Sequence, residues 1–240
     1  MHNIRLENLL LIDIETVPEH SSFEELSEDW KTLWEEKVQR LLPENVTTAE
    51  FYPQRAGVMA EFSKVVCISI GFFILNDNAI QLILKSYYGE DEKILLEAFI
   101  AAMQKLDVNK NNRSFTGHNI KEFDIPFICR RLLINGLSIP SVLNFQNMKP
   151  WETNMVDTFQ YWRFGDYKHY TSLKLLAASL QVPSPKDDID GSMVGDVYWK
   201  EKNLERIVTY CQKDVITTGN IILRFKNLPL LTEDNIEIVK

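Results

Sequence analysis

The sequence predicts an α/β fold built on a mixed sheet, and three features carry that expectation. An apolar run at residues 8–14, NLLLIDI, reads as a buried strand. Two further apolar runs, 64–75 and 79–87, flank Asn76, Asp77 and Asn78, whose turn chemistry predicts an antiparallel hairpin. Helical and strand patterns then alternate to the C-terminal region.

Each later element has its own signal. Ile94, Leu95, Ala98, Phe99 and Met103 keep helical spacing, which predicts a helix over 91–106. A short strand is expected at 113–117, followed by a helix from Asp124 to Asn135 that Gly136 is placed to end. Residues 155–158 suggest another short strand. Helices are expected at 171–181 and 203–226, the second with an apolar stripe through Ile207, Val208, Cys211, Val215 and Ile222. The tail after Pro229 reads as short and peripheral. Residues 19–62 are polar, acidic and partly helical, with Trp30, Leu33 and Trp34 as an apolar stripe, and read as an insertion packed beside the sheet.

At 240 residues the chain suits a single domain, 1–240, with that insertion inside it. Apolar residues make up 45% and charged residues 25%, the balance of a soluble globular protein. No apolar run approaches the ~20 residues needed to span a bilayer. The first twenty residues lack a basic flank and a long apolar stretch, so the expectation is no membrane and a cytoplasmic location. Cys67, Cys129 and Cys211 are too few and scattered for a disulfide framework or a zinc site, and read as buried free thiols. A net charge of −8 argues against a broad basic face gripping nucleic acid. It leaves open an enzyme that holds one strand end through bound cations.

Three short segments carry chemistry. Asp13 and Glu15 form Asp-x-Glu at the end of the first expected strand, where positions i and i+2 share a face. Taken alone, the pair is better read as two solvated acids where the strand stops. GHNIKEFDIPFICRR, residues 117–131, places Asn119 and Phe123 just before Asp124 and a proline suited to a first helical turn. Asp124 reads as an N-cap or as a functional acid. Asn119 suits a hydrogen bond to a sugar, and Phe123 suits base stacking or an ordinary core position equally. Tyr210 and Asp214, in YCQKD, lie one turn apart on one face of the last helix, a weak signal in isolation.

The order and spacing of the three segments resemble the exonuclease motifs of the DEDD superfamily, in the subclass whose third motif carries Tyr. Thr209 stands where the His subclass would place its base, and Tyr210 matches the Tyr subclass. The likeness extends through KVVCISIGF, KPWE, DTFQYW, SLKLLA and GSMV, and over nearly the whole chain it resembles a bacterial family related to the exonuclease domain of family B DNA polymerases.

That resemblance implies a ribonuclease H-like fold, a central mixed sheet with helices on both sides. It implies that Asp13, Glu15, Asp124 and Asp214 converge on two divalent cations, for which oxygen-only ligands favour Mg²⁺ or Mn²⁺. Four gathered carboxylates would otherwise repel one another until one took up a proton. The implied reaction is two-metal 3′→5′ hydrolysis releasing nucleoside 5′-monophosphates, with Tyr210 orienting the water. Asn119 and Thr16 would hold the terminal nucleotide, and Phe123 would line its pocket. The expected partner is a single-stranded 3′ end, DNA in preference to RNA, with a polymerase or repair partner in trans.

Other features read more blandly. Asp157 suits either a supporting role beside the cluster or a buried acid satisfied by backbone donors. His118 reads as structural or pocket-edge, and Tyr167, Lys168 and His169 as a solvated loop. Lys121, Arg130, Arg131 and Lys174 are the local cations available. KDDIDGSMVGD, residues 186–196, fails the calcium-loop pattern and reads as a turn leading into a helix. Two rivals to an enzyme are a non-catalytic module binding nucleic-acid ends and an adaptor working through the insertion around Trp30 and Trp34.

Overall fold

A computed structural model describes residues 4–76, 79–106, 113–149, 152–183 and 189–239. Strand β1 (Leu9–Pro18) is followed by helices α1 (Glu28–Val38) and α2 (Thr48–Arg55), then by β2 (Ser63–Asn76) and β3 (Ala79–Tyr88). Helix α3 (Glu92–Lys105), β4 (Ser114–Gly117), α4 (Asp124–Ile134) and β5 (Met155–Asp157) come next. Helices α5 (Thr158–Arg163), α6 (Leu173–Ser179), α7 (Val194–Trp199) and α8 (Leu204–Phe225) lead to β6 (Ile236–Val239).

The six strands form one mixed sheet in the order β5-β4-β1-β2-β3-β6. The hairpin pairs antiparallel, with Asn76 opposite Ala79, whereas β1–β4, β4–β5 and β3–β6 are parallel. Asp77 and Asn78, expected in the turn, lie outside the described residues. The tail was expected to be peripheral; it instead supplies the edge strand β6, because β3 offers a free ladder to it.

Strand alternation sorts β1 between two layers. Leu10, Ile12 and Ile14 face one cluster with Phe99, Phe127 and Ile128 from α3 and α4. Leu9 and Leu11 face the other, with Val215, Ile222 and Leu223 from α8. The α8 stripe read from the sequence is buried at all five positions. The two longest helices start at side-chain caps: Asp91 accepts the Ile94 N–H at 3.1 Å to cap α3, and Asn203 accepts from Arg206 at 3.1 Å to cap α8. Gly136 follows α4 with φ 69°, the left-handed exit that glycine adopts freely.

Residues 19–62 are partly helical and carry a small core of their own around Trp34, Phe51, Tyr52 and Phe62. The expected stripe is corrected here: Trp34 is buried, but Trp30 is 44% and Leu33 48% exposed. Arg131 fastens this segment to the rest. Its Nε donates to Glu92 at 2.8 Å, Nη1 to Ala60 O at 2.9 Å and Nη2 to Glu19 at 3.2 Å. Among the described residues no helix is long and apolar enough to cross a membrane.

Candidate active site

On the face of β1 that alternation directs toward α8, the apolar series Leu9, Leu11 gives way to Asp13 and Glu15. The strand does not stop there, as the sequence suggested, but runs on to Pro18. It is held by β2 through an irregularity at Glu15/Thr16, where Val66 is the extra residue between Cys67 and Val65. Both acids therefore project from a strand that β2 pairs on one side. Glu15 is buried, and Asp13 reaches a cleft.

Asp124 arrives from the other side. The β1–β4 pairing ends at Leu11 opposite Thr116, leaving the β1 edge beyond it unpaired by strand. The chain then turns off the sheet at Gly117, where a Cβ would meet Ile12 O at 2.8 Å and Ile120 Cγ2 at 2.0 Å, so the close approach needs glycine. Asn119 follows in the left-handed region, φ 65°. Asp157, at the end of β5, holds this turn by accepting the N–H groups of Asn119 at 3.0 Å and Lys121 at 3.3 Å. It also caps α5 through the Phe159 N–H at 3.0 Å, so the backbone-satisfied reading of Asp157 is correct. Asp124 then opens α4, and its Oδ1 accepts the Ile14 N–H at 3.2 Å. It is the first residue of the helix rather than its cap, because Phe123 occupies the cap position.

Helix α8 lays Tyr210, Cys211 and Asp214 against this group. The Cys211 thiol lies 3.4 Å from both the carbonyl and the Oδ2 of Asp13. One ligand atom each from Asp13, Glu15 and Cys211 lie within 4.8 Å of one another, close enough to share one cation. The Tyr210 hydroxyl donates to Asp214. Asp13, Tyr210 and Asp214 line a cleft of about 360 Å³ with His118, Tyr170 and Lys174.

The electrostatics record the crowding. Burial, then Asp214 and Asp124, push Asp13 well above the carboxylate range. Burial, then Asp13 and Asp214, do the same to Glu15. Asp124 is pushed up to about 7 by burial, against the opposing pull of its own N–H and that of Ile14. Tyr210 is driven far above the tyrosine range by burial first and by Asp214, Glu15 and Asp13 next. Burial raises Cys211, which also shares a hydrogen bond with Cys67.

The fold thus brings Asp13, Glu15, Asp124, Tyr210 and Asp214 into one electrostatic group. Phe123 packs against the α3/α4 cluster, with its ring 5.3 Å from that of Phe127. Thr16 donates its hydroxyl to Gly57 O at 2.6 Å. Asn119 Oδ1 is buried with no hydrogen-bond partner among the described residues. His118 is at the cleft edge, lowered by burial; Nε2 lies 2.8 Å from the Thr171 carbonyl, which only accepts, so the ring proton is on Nε2. Arg131, one of the expected local cations, is consumed by Glu92, and Lys121 and Arg130 line a separate cavity beside α4. Lys174 alone of the four lines the acidic cleft. Cys211 was missed as a site neighbour. Its place on the apolar stripe, between Tyr210 and Asp214, was the only sign.

Comparison with known proteins agrees with this architecture. The family B DNA polymerase from the hyperthermophilic archaeon Pyrobaculum calidifontis superposes with a TM-score of 0.55 at 14% sequence identity. The match covers 90% of this chain and 24% of the polymerase, so the chain spans about a quarter of that protein. At that identity the likeness concerns the fold, a mixed sheet flanked by helices of ribonuclease H-like form. None of the curated proteins matches the chain. Residues 58–236, well over half of the chain, match a family described as predicted 3′-5′ exonucleases related to the exonuclease domain of PolB. Asp13 and Glu15 fall before the matched segment, and Asp124, Tyr210 and Asp214 within it. On the extent of that match, the chain belongs to this exonuclease family.

Proposed function

We propose that the protein is a metal-dependent 3′→5′ exonuclease that hydrolyses phosphodiester bonds at nucleic-acid 3′ ends, DNA in preference to RNA. The observation that carries the reading is the mutual electrostatic pressure among Asp13, Glu15, Asp124 and Asp214. Three buried or half-buried acids with raised pKa values, each loaded further by other acids, are costly unless cations neutralise them. The donor set fits: these carboxylates would hold two divalent cations, and hard oxygen ligands favour Mg²⁺ or Mn²⁺. Cations bound there supply a lowered pKa for the attacking water and a counter-charge for the departing 3′ oxygen.

The chain's own groups do the rest. Tyr210 has committed its proton to Asp214, so it orients the attacking water by accepting a hydrogen bond from it, and burial beside the acids keeps the hydroxyl from serving as a phenolate base. Asn119 Oδ1, buried and unpartnered, suits a donor on the terminal sugar or base. Thr16 has committed its proton to Gly57 and can only accept, as from a 3′-hydroxyl. Phe123, braced by Phe127, offers one face to the terminal nucleotide. Within this reading the chain is a single exonuclease domain with 19–62 as an insertion, is cytoplasmic, and serves a polymerase or repair partner in trans.

The test is product analysis on matched single-stranded DNA and RNA with Mg²⁺. Mass spectrometry should find nucleoside 5′-monophosphates, released faster from DNA. Internal fragments without mononucleotides would overturn the reading, and faster release from RNA would reverse the substrate preference.

A further inference from the structure

Helix α5 ends at Arg163, and the chain leaves it through Phe164 at φ 46° and Gly165 at φ 90°. A phenylalanine in the left-handed region is held at a cost, and such outliers gather where a side chain must be aimed. Here it is aimed at solvent. Phe164 is 90% exposed, Tyr167 78% and Tyr170 63%. Phe164 and Tyr167 stand clear of any core, and Tyr170 keeps most of its surface in solvent although its ring meets Phe159.

Cations are interleaved with these rings. Residues 161–174 hold Arg163, Lys168 and Lys174 against a single acid, Asp166, in a protein of net charge −8. Asp166 is engaged within the loop, accepting the Lys168 N–H at 2.9 Å and meeting His169 Nδ1 at 3.3 Å. The Arg163 guanidinium lies 4.0 Å from the Phe159 ring centre and 5.5 Å from that of Tyr167, and pairs with Glu122 at 3.5 Å. It therefore braces the Tyr167 ring.

One end of the segment enters the acidic cleft. Tyr170 and Lys174 line the same 360 Å³ space as Asp13, Tyr210 and Asp214. Tyr170 is fixed there edge-on to Phe159, with ring centres 4.9 Å apart, and to His118 at 6.4 Å. Tyr170 thus ties the exposed segment to the cleft that holds the carboxylates.

We propose that residues 161–174 are a stacking platform for the single strand just 5′ of the terminal nucleotide. Phe164, Tyr167 and Tyr170 take successive base faces, and Lys168 and Lys174 take phosphates. Every base offers a π-face, so such a platform binds without sequence preference and requires unpaired bases. Duplex DNA, its bases stacked on one another, is refused until its end frays. The inference rests on the exonuclease reading and says how that site selects its substrate.

The test uses the full chain carrying Phe164→Ala with Tyr167→Ala, both exposed positions, leaving the cleft-lining Tyr170 intact. Fluorescence anisotropy with 5′-fluorescein oligothymidylate in Ca²⁺ reads affinity. Loss of stacking should weaken it about 5- to 150-fold per base released, and Phe164→Trp with Tyr167→Trp should restore it. The ratio of kcat/KM for oligothymidylate to that for thymidine 5′-monophosphate p-nitrophenyl ester should fall in parallel, because the ester has no upstream base. Affinity within about twofold of wild type, with that ratio unchanged, overturns the platform while leaving the exonuclease reading in place. A wild-type protein that degrades neither substrate overturns the exonuclease reading, and the platform with it. Equal loss on both substrates also overturns it, since the rings would then serve the reaction site itself.

Discussion

The Ile14 N–H donates to Asp124 Oδ1 at 3.2 Å, across 110 residues of chain. This single contact explains how the third carboxylate is placed. β1 outruns its parallel neighbour β4, and the backbone donor left over is buried, so it needs a partner. Asp124 supplies one, and its carboxylate is thereby held at the strand position flanked by Asp13 and Glu15. A helix start, a strand edge and an acidic cluster are fastened by one hydrogen bond.

The acid cluster predicts an unusual pH dependence in EDTA. A carboxyl raised in the folded state holds a proton that the unfolded chain has released, so stability is full below about pH 4 and falls as pH rises through about 7. Exposed acids with lowered pKa values, such as Glu50 and Asp190, finish titrating below this window. His118, lowered by burial, works in the opposite direction. Urea unfolding from pH 5 to 8 should therefore show a fall of a few kcal/mol that is shallower in Asp124→Asn, where Asp13 and Glu15 keep the remainder of the slope. Equal slopes in the two proteins would refute the assignment.

Removing a charge from the cluster should stabilise the metal-free fold while ending turnover. Asp214→Asn keeps an acceptor for the Tyr210 hydroxyl but relieves Asp13 and Glu15 of a neighbouring anion. A gain of roughly 1 kcal/mol corresponds to a melting temperature about 2–4 °C higher in EDTA, read by calorimetry. Wild-type turnover in this variant would remove Asp214 from the site.

Tyr210→Phe deletes one positioned hydroxyl and no charge. The expected loss in kcat is about a hundredfold, with the Mg²⁺ concentration for half-maximal rate unchanged. Because Tyr210 stays protonated, the wild-type rate should show no inflection from it up to pH 9. A shift in metal dependence on substitution would make Tyr210 part of the metal-binding set.

Arg131 and Glu92 form a buried pair, joined to Ala60, Glu19 and the Asn135 side chain. Arg131→Ala strands the Glu92 carboxylate and should cost about 3–5 kcal/mol in chemical denaturation. A cost under about 1 kcal/mol would mean that the network is not what joins residues 19–62 to α4.

What the sequence disclosed were features written locally. NLLLIDI located the first acids, and the α8 stripe fixed which face Tyr210 and Asp214 share a helix with. What it concealed depends on distant partners. β1 extends to Pro18 because β2 stays opposite it through the irregularity at Val66, and β6 exists because β3 offers an edge. Arg131 reads as a free cation until Glu92, 39 residues away, is folded against it. Cys211 reads as core until α8 sets it against Asp13, 198 residues earlier. Trp30 and Leu33 lie beside Trp34 in sequence, yet only Trp34 faces inward, because helix α1 buries a narrow stripe.

The most direct measurement is digestion of a 5′-labelled single-stranded DNA with Mg²⁺, Mn²⁺ or EDTA, beside an Asp13→Ala control. The account predicts a ladder shortening from the 3′ end with either metal and none in EDTA or in the control. Shortening that persists in Asp13→Ala, or intact DNA and RNA under both metals, would contradict it.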